Sequence, residues 1–244
     1  MSRLMGSLGK LYQTNGERAY SMISFKGFSY PKEVILQAVR WYVAYNLSYR
    51  DLEEMLSERG VSVDNSTINR WVLRFVPQLE AAFHAHKRRP GGRARMDETY
   101  ILIKGKWFYL YRAVDKQGQT IDFLLIKKRD KKAAKRYLAK MVKRNGKPSL
   151  INIDSSAASK AAIIQYNKEN NTRIKVRQCK YLNNIVESDH RFVKRKMRQA
   201  MGFGSFCTAA KTIAGLELWR MLKKGQQKWG GGQSPVEQFY ALAS

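Results

Sequence analysis

Acidic residues are scarce in this chain of 244: 19 Asp+Glu stand against 46 Lys+Arg, a formal net charge of +27. Such a surplus repels itself unless a polyanion screens it, so nucleic acid is the leading partner and an anionic membrane surface the weaker one. Cysteine is nearly absent. Cys179 and Cys207 are the only two and no Cys-x-x-Cys exists, which excludes a zinc ribbon or finger. His84 and His86 sit two apart and do not share a helix face, so they are not read as a metal pair. Long apolar runs are also missing. None approaches the roughly 20 residues that span a bilayer, and the N-terminus has no cleavable-signal pattern. The expectation is a soluble, cytoplasmic, bacterial and nucleoid-associated protein. What is present argues for folding: hydrophobic residues make up 44% and aromatics 11%, too many for a disordered chain. The length suits one full domain plus a small second one.

From Pro31 an apolar period of helix type begins, with Val34, Ile35, Ala38, Val39 and Tyr42 on one face. A second helix starts near Ser48, with Leu52, Met55 and Leu56 inward. "SERGVSVDNST" then places Gly60 at a turn and Asp64 or Ser66 at an N-cap. The third helix shows Ile68, Trp71, Val72, Phe75 and Leu79 on one stripe. Three short helices with a glycine turn before the last predict a helix-turn-helix unit over 31–82. Asn65, Thr67, Asn69, Arg70 and Arg74 on the outer face of helix three suit base edges and phosphates. "HKRRPGGRARM" breaks the helical pattern, and 83–95 is read as a basic linker able to follow a phosphate backbone.

Beyond it the period shortens to strand type. Residues 97–104, 107–114 and 120–126 read as an antiparallel meander. A helix follows at about 130–144, with ten basic residues and one acid between Lys127 and Arg144. "PSLINID" is a short buried strand ending at Asp154. A helix, a strand near 174–176 and two helices finish the chain. The fold class expected is α+β/α/β: the helix-turn-helix unit, then a ribonuclease-H-like domain (β-β-β-α-β-α-β-α) over 96–228. Residues 229–244 are taken as a tail and 1–25 as a dispensable extension. No internal repeat is visible.

In a chain so short of acids, an acid inside an apolar segment needs a reason. In the ribonuclease-H-like order the first and fourth strands lie side by side, so Asp97 and Asp154 meet across the sheet. Glu98 points to the opposite face. A third acid must come from a later helix, and Glu187 in "YLNNIVESDHRFVKRKMR" is the best candidate, because Glu187, Arg191, Lys194 and Arg198 share one stripe. Asp189 lies about 200° around that helix and is less suitable; Glu217 is read as solvent-facing or paired. Clustered carboxylates repel one another unless divalent metal is present, and Mg²⁺ prefers oxygen ligands.

"SYRDLEEMLSERGVSVDNSTINRW" (48–71), "MDETYILIKGKWFYLYRAVD" (96–115), "KYLNNIVESDHRFVKR" (180–195) and "TIAGLE" (212–217) together resemble the DDE transposases of bacterial insertion sequences, insertion-sequence-six family. The resemblance spans about Phe25 to Gly225. It is looser at the second acid, where the chain reads "NIDSSAAS", and at Asn69, where the family has an aromatic. It implies Asp97, Asp154 and Glu187 as the acidic triad and Lys194 as the family's basic position. It also implies recognition of terminal inverted repeats and replicative, cointegrate-forming transposition. "MISFKGF" at Met22 resembles the family's usual N-terminus. The expected activity is a Mg²⁺-dependent (or Mn²⁺-dependent) transposase using two ions. Its partners would be double-stranded DNA, at element ends and target, and further copies of itself in a homodimer or higher oligomer, with no membrane. Arg191 and Arg198 are placed on DNA with the reading helix. The competing classes are a DNA-binding regulator whose core only dimerises, and another nuclease or integrase on the same fold.

Overall fold

Helical periodicity in the first third does produce three helices: α1 (Lys32–Ala44), α2 (Tyr49–Ser57) and α3 (Asn65–His86). The computed structural model describes residues 23–154, 156–229 and 231–244. Most of the extension expected at 1–25 lies outside the described residues. Its last part does not behave as an extension, because Ile23 is buried and Phe25 stacks on Phe75 at 4.6 Å. Ser48 and Asp51 form a capping box at α2. Gly60 adopts φ +73 at the turn that follows, where a side chain would be strained. Asp64, not Ser66, caps α3, accepting from the Thr67 amide at 3.0 Å.

The meander follows as β1 (Arg93–Ile103), β2 (Lys106–Val114) and β3 (Thr120–Ile126), then α4 (Lys131–Asn145), β4 (Leu150–Ile153), α5 (Ala157–Glu169) and β5 (Lys175–Gln178). The sheet order is β3-β2-β1-β4-β5, with the first three strands antiparallel and β4 and β5 parallel to β1. This is the ribonuclease-H-like order. β1 begins four residues before the expected strand. Arg93 to Arg95 read as linker because of their charge, but β4 supplies their backbone partners and Ala94 and Met96 fill the core.

The rest of the linker is anchored too. α3 runs on to His86. Lys87 is buried and donates to the Ile121 carbonyl at 2.5 Å, and the Arg88 amide donates to the Gln226 carbonyl at 2.7 Å. With Lys140 donating to the Phe123 carbonyl at 2.5 Å, lysines occupy carbonyls along the free edge of β3. That protects an edge strand from pairing with another chain.

A 3-10 turn (Lys180–Asn183), α6 (Asn184–Asp189), α7 (Arg191–Gln199), α8 (Phe206–Lys223) and α9 (Pro235–Ala241) complete the chain. The expected tail therefore carries a helix, capped by Ser234 and Glu237, with Phe239 fully buried. Two clusters fill the interior. One joins α4 and α5 to one sheet face. The other is continuous from α1, α2 and α3 through the opposite sheet face to α7, α8 and α9. The N-terminal helices therefore share a core with the sheet domain. Lys196 strengthens the joint: it is buried, donates to the carbonyls of Tyr42 (3.2 Å) and Leu47, and lies 3.8 Å from the Tyr42 ring centroid. Gln199 donates to the Asn46 carbonyl at 2.8 Å.

α8 meets α1 and α3 at Gly215. A Cβ there would stand 2.5 Å from Val43 Cγ1 and 3.2 Å from both Val76 methyls. Both neighbours are β-branched and stiff. Gly215→Ala should therefore destabilise by about 1–3 kcal/mol through overpacking, in spite of alanine's better helix propensity. A lower urea midpoint is expected, and an unchanged or raised one would mean that the helices separate freely there.

Candidate active site

The β1–β4 pairing ends at Arg95 opposite Asn152. Two residues further along both strands stand Asp97 and Asp154, side by side on the same face. Alternation fixes that face: Asp97 shares it with Thr99 and Ile101, under α7 and α8, whereas Ala94 and Met96 point toward α4 and α5. Glu98 points to that second side, as expected, and Arg129 Nε donates to its carboxylate at 2.5 Å. Asp154 follows β4 directly and accepts from the Ser156 amide at 2.9 Å.

Glu187 lies on α6 with its side chain exposed. Lys194 is half-buried one helix later, and Arg191 and Arg198 are exposed on α7. The stripe expected from spacing is thus present, although the helix is interrupted at His190.

Burial pushes the Asp97 carboxyl up to about 7, and the charges of Glu98, Asp154 and Glu187 add to the effect. The three acids of the expected triad are therefore within electrostatic reach of one another. Their all-oxygen donor set and mutual repulsion fit a hard divalent cation such as Mg²⁺ or Mn²⁺. Among the described residues, however, no three His, Cys, Asp or Glu side chains converge closely enough to hold an ion as they stand. Of the three, Glu187 is the one with an exposed side chain.

Several residues that spacing did not single out hold this arrangement. Asn152 and Asn183 are both buried. Asn152 donates to Asn183 Oδ1 at 2.7 Å and to the Cys179 carbonyl at 2.9 Å; Asn183 donates to the Met96 carbonyl at 3.3 Å. The pair ties the turn before α6 to β1 and β4. His190 is buried with Nδ1 3.8 Å from Asp97 Oδ2. Burial, with Arg112 and Lys194 nearby, pulls its pKa down to about 3, so it is neutral.

Arg112, opposite Asp97 on β2, is fully buried. Its Nε donates to Glu217 at 2.6 Å and its terminal nitrogen to Glu217 and Asp189, both at 3.0 Å. Glu217, read as solvent-facing or paired, is paired and wholly inside. Asp189 also takes Lys224 at 2.5 Å and Arg220. Burial opposes its ionisation, but these cations hold its carboxyl down at about 2. The only sequence signal for this cluster was charge inside apolar segments.

In α3, Asn65 and Thr67 have internal partners: Asn65 donates to Glu53 at 2.7 Å and Thr67 to Asp64 at 2.7 Å. These contacts satisfy the helix end and tie it to α2, and Arg70 in turn donates to the Thr67 hydroxyl at 2.6 Å. Asn69 is half-buried, and Arg70 and Arg74 are exposed one turn apart.

A family profile described as "DDE domain" matches residues 92–226. The chain is 39% identical over 206 residues to the transposase for insertion sequence-like element IS431mec of Staphylococcus aureus, covering 83% of this chain and 90% of that one. The same figures hold for the transposase of insertion sequence element IS257 in transposon Tn4003 of Staphylococcus aureus. The chain belongs to the DDE transposases of the insertion-sequence-six family. A solved HTLV-2 integrase catalytic core domain in complex with magnesium is similar at a TM-score of 0.44 and 15% identity, over 62% of this chain and 97% of that one. As a DDE transposase the protein is a polynucleotidyl transferase. No helix among its described residues is long and apolar enough to cross a membrane.

The acid cluster should be measurable as a stability cost. The Asp97 pKa is raised in the folded transposase above its unfolded value of about 3.9. Between roughly pH 4 and 7 the native state thus holds a proton that the unfolded state has released, and stability falls as pH rises through that window. In EDTA, Asp97→Asn should be more stable than the wild type at pH 8, by between about 1 and 4 kcal/mol. The difference should shrink toward zero near pH 4. A pH-independent difference in urea unfolding would mean that Asp97 carries no such repulsion.

Proposed function

We propose that the transposase binds the terminal inverted repeats of its insertion sequence through α3 of a helix-turn-helix unit, and that Asp97, Asp154 and Glu187 form its catalytic centre. The observation that carries this reading is the adjacency of Asp97 on β1 and Asp154 just past the end of β4, with the charge of Glu187 on α6 adding to the burial that raises the Asp97 pKa. The three carboxylates would hold divalent metal, Mg²⁺ or Mn²⁺ and two ions in number. Bound metal supplies Lewis-acid stabilisation of the attacking and leaving oxygens at phosphorus.

The chain's own groups do the rest. Lys194 and Arg191 hold phosphate oxygens beside the acids. Neutral His190 fills the space behind Asp97 without adding positive charge. Arg70 and Arg74 meet the duplex at α3. A groove of about 510 Å³ lined by Tyr45, Arg191, Arg195, Arg220 and Lys223 runs between the end of α1, α7 and α8, and its cations suit a phosphate backbone. Water attacks the phosphodiester at the element end and releases a 3′-OH. That hydroxyl then attacks a phosphodiester of target DNA, and no covalent protein intermediate is needed. Joining without excision gives the replicative, cointegrate outcome. Two ends handled together call for a homodimer or larger assembly on DNA.

Asp97→Asn and Glu187→Gln should each abolish cleavage and joining while leaving binding to element ends at the wild-type level. Either variant cleaving at the wild-type rate would remove that residue from the centre. Arg70→Ala tests the reading helix. If it meets a base edge, binding to the element end weakens by about 1–3 kcal/mol and binding to random DNA changes much less. Equal losses on both DNAs in a gel shift would reassign Arg70 to a phosphate.

A further inference from the structure

Beyond the end of β4 the sheet narrows to three strands, and past Tyr109, which faces the last β3 residue Ile126, to the two-stranded tip of β1 and β2. β1 pairs with β4 no further than Arg95, whereas its pairing with β2 continues to Ile103 opposite Lys106. One face of this narrowed sheet, with Ile101, Ile103 and Leu110, is buried in the core shared with α7 and α8. By alternation the other face carries Glu98, Tyr100, Leu102, Trp107 and Tyr109. There Tyr100 is 48% and Trp107 55% exposed. The rings are in contact: Tyr100 to Trp107 is 6.1 Å between centroids at 82°, and Tyr100 to Tyr109 is 5.3 Å at 54°.

Cations bracket the strip. Lys104 and Lys106 are exposed at its tip, and Arg129 holds Glu98 at its inner end. That inner end is next to the acids along β1: Glu98 follows Asp97 directly, on the opposite face of the strand, and the β1 edge beyond Arg95 has no β4 partner, so a DNA strand can pass round it from one face to the other.

Exposed aromatic rings edged by cations need an occupant with flat π faces and negative charge. An apolar protein surface would strip water from Lys104 and Lys106 without compensation. Unpaired nucleotides meet both demands: bases stack on aromatic rings while phosphates meet the lysines. A closed duplex hides its base faces, so only separated strands qualify. We propose that the Tyr100–Trp107–Tyr109 strip stacks unpaired bases of the DNA strand adjoining the scissile phosphate, and so holds the element end open at the acids. This rests on reading Asp97 and Asp154 as the cleavage centre.

The test compares two element-end DNAs in EDTA by fluorescence anisotropy, one fully duplex and one with a short single-stranded flap at the cleavage position. Wild type should prefer the flap. Trp107→Ala should lose roughly tenfold in affinity for the flap and change little on the duplex; Trp107→Phe should keep most of the preference. Equal affinities for both DNAs in wild type and Trp107→Ala would overturn the proposal, as would equal losses on both. A lower sedimentation coefficient of DNA-free Trp107→Ala would overturn it too, by assigning the strip to contact between copies. Metal-dependent cleavage of a duplex end by the wild type tests the acids separately. The binding comparison therefore decides the strip whatever that cleavage assay gives.

Discussion

Arg112 is the group on which the site's architecture depends. It rises from the middle of β2, has no solvent exposure, and binds Glu217 on α8 and Asp189 on α6 at once. Phe192 lies over it, 5.3 Å from the guanidinium, and Arg220 sits 5.2 Å from the same ring. A buried ion cluster of this kind adds little net stability over an apolar replacement, because desolvation offsets the attraction. Its value is geometric. Removing one partner leaves a charge stranded inside, so α6 and α8 have essentially one way to sit on the sheet. α6 carries Glu187, and β1 opposite Arg112 carries Asp97.

The same cluster separates two kinds of acid that look alike in the chain. Asp189 and Glu187 are two residues apart on one short helix. Asp189 faces inward to Arg112, Lys224 and Arg220 and is held ionised. Glu187 faces outward, and its side chain has no hydrogen bond or ion pair among the described residues. Asp97 has no cation hydrogen-bonded to it among the described residues; its neighbour His190 is kept neutral by burial and by Arg112. The protein thus spends its abundant positive charge on the structural acids and leaves the other three to repel one another. That arrangement makes sense where a metal supplies the missing charge.

Much of this was legible in the residues. Periodicity located the helices and the meander, and the element order located the β1–β4 adjacency, because both depend on local patterns and on a small set of allowed topologies. What stayed hidden was long-range. Arg93 to Arg95 look like a linker until β4 arrives beside them. Residues 229–244 look like a tail until Phe239 meets the core. Nothing in the spacing joins Asn65 to Glu53, twelve residues back on α2. Glu217 lies 105 residues from Arg112, and no spacing rule joins residues that far apart. Asn152, Asn183 and His190 are single polar residues in apolar or mixed segments, and they acquire meaning only from the groups packed against them.

The joint between the N-terminal helices and α7 couples the first third of the chain to the sheet domain. Lys196 is one turn beyond Arg191 and Phe192 on α7, and its ammonium is held by carbonyls at the end of α1 and in the loop after it. Burial pulls the pKa of that lysine down to about 8, because desolvation outweighs the attraction of Asp51, so the contact costs charge hydration and persists because the carbonyls and the Tyr42 ring replace water. A shift of α1 and α2 would therefore be passed to α7 directly, and through His190 to the segment that carries Glu187. Because α1, α3, α7 and α8 share one apolar core, such a shift moves packed helices against each other and cannot be absorbed by a loose linker. The exposed Glu187 lies at the far end of that chain of contacts.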